Sequence, residues 1–195
     1  MSPSAPLSLV VLLLSLCSSE PVGPSVEDLT NRNADFATRL YRAVSSRTDE
    51  NVFLSTFTLS AGLLALVSAS NGTTRDQLLQ GLGLTGLDPQ TLPDLFQSLR
   101  TTVQQENLKQ GVAILPAQGF PVSSSYQDLV QTKFGGNAQS LVYTVPQEAT
   151  DTINRWTQEQ TGDQVLELET NLDPNTQLLL ATSAFFKGTR LTLCS

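Results

Sequence analysis

Residues 51–74 contain no charged side chain, and this run restricts the fold more than any other feature of the chain. Phe53, Leu54, Phe57, Leu59, Leu63, Leu64, Leu66 and Val67 crowd its middle. Wound into a helix, Leu63, Leu64, Leu66 and Val67 point in nearly every direction. A helix that is apolar all round lies inside a protein or a membrane. Ser60, Gly62, Ser68 and Ser70 interrupt the run well short of the ~20 apolar residues that a membrane span needs. The expectation is a short extended piece over 51–55 leading into a buried helix over 58–69, covered on all sides by other elements.

The rest of the chain must supply that cover, and 195 residues suffice for one domain with a substantial core. Eleven Lys plus Arg face 18 Asp plus Glu, a net charge of -7. This balance argues against nucleic acid or an anionic membrane surface as a partner. The chain has no histidine. Ser-His-Asp and Cys-His nucleophiles, imidazole metal sites and a histidine general base are therefore absent, which argues against an enzyme.

Residues 1–19 read as a signal peptide, with an apolar core over 7–16 followed by Cys17, Ser18 and Ser19. The expected location is secreted, in the extracellular space. Removal of that segment leaves Cys194 as a free thiol. Residues 20–32 mix Pro, Gly, Ser and acid and are expected to be a disordered lead-in. Asn33 then caps a helix that places Phe36, Leu40, Ala43 and Val44 on one face.

After the buried helix, Asn71-Gly72-Thr73 is a glycosylation sequon in a turn, so Asn71 is the expected modification site. Residues 81–86 read Gly-Leu-Gly-Leu-Thr-Gly and match the dinucleotide-binding pattern G-x-G-x-x-G. That fingerprint requires a preceding strand and a helix opening within it. Here a helix precedes and Leu87-Asp88-Pro89 follows, so helix termination by glycine is the reading. Amphipathic helices are expected over 89–103 and 123–134, and strands over 112–115 and 140–145. Pro146 opens a further helix, with Ala149, Ile153 and Trp156 on one side and Gly162 past its end. Glu148, Asp151, Glu159, Asp163, Glu167 and Glu169 lie along a solvated face without calcium-loop spacing. Residues 177–186 are apolar and read as a strand buried on both faces. Helices and strands that follow no regular alternation indicate an α+β fold.

Four stretches in this order resemble the serpins, the serine protease inhibitor family. They are Asn51-Val52-Phe53-Leu54-Ser55 before the buried helix, Ile153-Asn154-Arg155-Trp156 leading to Thr161-Gly162, Leu178-Leu179-Leu180, and Phe185-Phe186-Lys187-Gly188. The region over 92–99 and Gly119-Phe120-Pro121 resemble secreted plasma members. The resemblance spans 33–188, and 189–195 form a divergent tail. Departures from the pattern are Thr56 for a usual proline, Asp163 for a lysine and Arg190 for a tryptophan. Thr182 replaces an asparagine that helps to hold the centre of the main sheet near the positions matching Ser55 and Thr58. The resemblance implies a serpin-like fold present in its N-terminal part, no cofactor, and a serine protease as partner of the whole family member. It also implies a reactive loop that is cleaved and then inserted as a strand beside the one over 177–186. The 195 residues carry no stretch resembling that loop. The reading is a secreted serpin-type inhibitor represented by a half that does not inhibit by itself and is prone to self-association. The alternative is a non-inhibitory secreted binding or regulatory product.

Overall fold

The computed structural model describes residues 23–103, 108–168 and 171–186. The expected signal peptide, Lys187, Gly188, the tail and Cys194 lie outside the described residues. Six helices and three strands follow one another among the described residues. They are α1 (Val26–Ser45), α2 (Thr56–Ala69), α3 (Gly72–Leu82), α4 (Leu92–Val103), β1 (Leu108–Pro116), α5 (Ser124–Phe134), β2 (Asn137–Ala138), α6 (Pro146–Thr161) and β3 (Leu178–Phe186).

The central helix α2 touches α1, α3, α4, α5, β1 and β3. Ala61, Leu64, Ala65 and Val67 are buried, while Leu59, Leu63 and Leu66, one i, i+4, i+7 stripe, are half-buried. The expected cover on all sides is therefore nearly complete, and that stripe is its weakest side. Phe57 stacks on Phe96 of α4 at 5.1 Å between ring centroids. Phe96 in turn meets Phe134 of α5 at 5.6 Å. Such pairs add specificity to the burial itself.

The sheet has the order β2-β1-β3, with β1 parallel to β2 and antiparallel to β3 over its full length. Side chains of β1 alternate between two cores. Val112 and Ile114 join the helical layer around α2. Ala113 and Leu115 join Ala149 and Ile153 of α6 on the opposite face. The molecule is a helical layer, a three-stranded sheet and one covering helix, consistent with part of an α+β serpin-like domain.

Three expectations are corrected. The lead-in over 20–32 is helical from Val26, and Ser25 rather than Asn33 is the N-cap. The Ser25 hydroxyl accepts from the Asp28 N–H, and the Asp28 carboxylate accepts from the Ser25 N–H, a capping box. Val26 and Leu29 extend the apolar face of Phe36 and Leu40 backwards. The strand expected over 140–145 is reduced to a bridge between Leu141 and Ala117. A turn from Val142 to Val145 and the helix opening at Pro146 draw the segment out of the ladder. Finally, β3 is half-buried rather than buried on both faces. Only β1 pairs with it among the described residues, so its other edge stays uncovered.

Candidate functional site

Of the serpin-like positions, Ser55 and Thr58 stand at the start of α2 and Thr182 lies where α2 meets β3. Ser55 stands before the first turn of α2 without capping it; its hydroxyl lies 2.8 Å from that of Thr58 instead. Thr58 is 1% exposed, and this contact gives its buried hydroxyl a partner. One turn on, Gly62 is buried against β3. A methyl group built there would lie 3.0 Å from Leu180 Cδ1 and from Thr182 Cγ2. The absence of a side chain is therefore what lets the strand rest on the helix. Thr182 pairs with Val112 across the sheet and sits over Gly62. It makes no hydrogen bond to Ser55 or Thr58 among the described residues, so the link that the family's asparagine suggests is replaced by apolar contact.

On the other face, α6 holds the chain that returns to β3. Asn154 Oδ1 accepts from the Leu168 N–H at 3.0 Å, and Gln158 Nε2 donates to the Leu166 carbonyl at 2.8 Å. Thr161 Oγ1 accepts from the Val165 N–H at 3.2 Å. These three side chains are spaced i, i+4, i+7 and fasten residues 165–168 to one face of α6. Gly162 ends the helix in the left-handed conformation, with φ 60°. Trp156 is partly buried in the core that α6 shares with the sheet. Burial pushes the Tyr126 and Tyr143 hydroxyls up to about 12. Both remain donors at neutral pH, to the carbonyls of Ala65 and Leu115.

Phe186 closes β3 and is 65% exposed. The hydroxyls of Ser60, on the side of α2 that faces Leu29 and Asn33, and of Ser183, beside Gly111 and Gln160 on the other face of β3, are buried without a hydrogen-bond partner. Asn71 is exposed and extended at the N-terminus of α3, its amide making no capping bond. The acidic side chains of α6 form no cluster with Asp163, and among the described residues no group of three metal-ligating side chains gathers. What these elements present is a strand edge left uncovered among the described residues, on a closely packed helix. The resemblance pointed to Ser55, Thr58 and Thr182, whereas Gly62 drew no such attention, since its contact depends on a strand far along the chain. Its only local sign is a glycine inside an otherwise apolar helix.

The chain matches the family model described as Serpin (serine protease inhibitor) over residues 31–191. It is 30% identical over 190 residues to Iripin-2 of Ixodes ricinus, covering 93% of this chain and 47% of that one. It is 29% identical over 172 residues to the protein Z-dependent protease inhibitor of Mus musculus, covering 85% and 38%. The crystal structure of the mouse protein superposes with a TM-score of 0.78, at 29% identity, covering 86% and 46%. Human thyroxine-binding globulin complexed with its hormone gives a TM-score of 0.76 at 26% identity, covering 83% and 45%. The chain spans less than half the length of each of these relatives.

Proposed function

This chain belongs to the serpin family of serine protease inhibitors, and from that premise we propose that it is the scaffold half of a secreted inhibitor rather than an enzyme. The observation that carries the reading is the outer edge of β3. Among the described residues this strand is paired on one side only, and it rests on α2 at Gly62. In the mechanism implied by the family, a protease's serine attacks a bait peptide bond. The new amine leaves, and the ester to the protease persists while the freed loop enters the main sheet. The edge of β3 is the surface against which such a strand pairs. Residues 1–195 supply that edge but no bait. The test is denaturing electrophoresis after incubation with trypsin-like and chymotrypsin-like proteases. The full-length natural protein forms a denaturant-resistant band containing both proteins. The 195-residue chain alone forms none, and such a band from it would overturn the proposal.

Secretion also belongs to this reading, on the apolar run over 7–16. Asn71, exposed and free of a capping bond, is the glycan acceptor of the secreted protein. Digestion with a glycan-removing amidase shifts its mobility; an unchanged band from secreted material counts against occupancy at Asn71.

A further inference from the structure

Asn71-Gly72 is the one Asn-Gly pair among these 195 residues, and both of its reacting groups are without a partner in the structure. The Asn71 side chain is exposed, and its amide makes no capping bond to α3. Gly72 is the first residue of α3, so its N–H is one of the donors that a helix cannot satisfy internally. No other described group accepts from it. A methyl group built at Gly72 would meet no atom within 4 Å, and residues 71–74 are all exposed. Nothing therefore packs against the turn that must rotate to bring Asn71 Cγ to the Gly72 nitrogen.

The other described asparagines lack this combination. Asn154 Oδ1 accepts from the Leu168 N–H, and Asn175 Nδ2 donates to Asp173. Asn31 and Asn33 lie inside α1, and Asn137 lies in β2. Asn51 and Asn171 are exposed but precede Val52 and Leu172, whose side chains crowd the nitrogen that would attack.

We propose that Asn71, wherever it carries no glycan, is a site of spontaneous deamidation. Hydroxide takes the Gly72 amide proton, and the nitrogen attacks Asn71 Cγ. A bond from Gly72 N to Cγ forms, the Cγ–Nδ2 bond breaks, and Nδ2 departs as ammonia after taking a proton from water. A second water then opens the cyclic imide at either carbonyl, leaving aspartate or isoaspartate at position 71. Aspartate is as good an N-cap as asparagine, so that product spares α3. Isoaspartate adds a methylene to the main chain and frays its first turn. A glycan on Nδ2 hinders departure of that nitrogen, and departure of the nitrogen removes the glycan's attachment point. The inference rests on the Asn-Gly geometry and not on the glycan reading.

The test is peptide mass spectrometry of the full-length natural protein made in bacteria, without glycan, and held folded in mildly alkaline buffer. Enzymatic methylation of isoaspartate is the second readout. Asn71 converts ahead of every other asparagine, and in Gly72→Ala this lead is lost. Thr73→Ala secreted from eukaryotic cells lacks the sequon, keeps the Asn-Gly pair, and converts like the bacterial protein. No amidase is used, because it makes the same change. Conversion at Asn71 no faster than at the other asparagines, or undiminished in Gly72→Ala, overturns the proposal. Secreted natural protein that converts like Thr73→Ala supports it and counts against the glycan alone. A melt of each variant reports folding, and Thr73→Ala decides where Gly72→Ala does not fold.

Discussion

At residue 62 a single methyl group probes the seam between helix and sheet. Alanine in a helix interior is favoured over glycine by about 1 kcal/mol. Here the added carbon would meet Leu180 Cδ1 and Thr182 Cγ2 at 3.0 Å and Leu180 Cδ2 at 3.1 Å. Thr182 is β-branched and stiff at χ1, so it yields poorly. Overpacking of this kind costs about 1–3 kcal/mol, more than the helical gain. Gly62→Ala is therefore predicted to destabilise the full-length protein by about 1 kcal/mol in denaturant unfolding, while a gain in stability would show that the strand does not rest there. Ser55 and Thr58, inside the uncharged run, could be singled out because that run resembles the family's pattern. Gly62 could not, since its neighbour Leu180 is brought to it only by the fold.

Among the elements, α2 was the most legible, because a run without charge has to be buried. The helices α4, α5 and α6 were legible too, each from an apolar face at helical spacing, and Gly135 and Gly162 mark the ends of two of them. The first turns of α1 were not, since their polar side chains mask Val26 and Leu29, and the local signal was the pair Ser25 and Asp28. Removing the Ser25 hydroxyl should fray this helix. Ser25→Ala is predicted to cost about 1 kcal/mol, seen as faster amide exchange in the first turn of α1. Acid should imitate the change. Bonds from the Ser25 backbone and hydroxyl hold the Asp28 carboxyl below its ordinary value of 3.8. A lowered folded-state value means that the carboxylate's contribution is present above pH 3.8 and is lost as pH falls through the folded value. First-turn exchange that ignores both the substitution and acid would count against the capping box. Tertiary context also explains the two strand corrections. Pro146 ends the extended segment before a ladder can form, and β3 reads as doubly buried from its leucines although only one neighbour pairs with it among the described residues.

At the scale of the whole molecule, β3 needs a further strand. The nine residues of β3 leave one edge uncovered among the described residues, with Phe186 65% exposed at its end. Leu59, Leu63 and Leu66 of α2 are half-buried as well. Complete burial of such a side chain stabilises by ~1.5–3 kcal/mol, so a half-covered stripe forgoes a few kcal/mol. Set against a domain stability of ~5–15 kcal/mol, that deficit weakens the fold without abolishing it. A flat apolar edge is also a template for pairing with another chain. Cys194 would add covalent linkage in an oxidising medium, a contribution that reductant removes. The most direct measurement is size-exclusion chromatography with thermal melting of purified residues 20–195, in reductant, beside Phe186→Lys. The expected result is a dimeric, polymeric or partly unfolded product whose association falls when lysine blunts the edge. A monomer with a sharp, reversible transition would contradict it, showing that these residues complete their own core and moving a binding product ahead of an inhibitor scaffold.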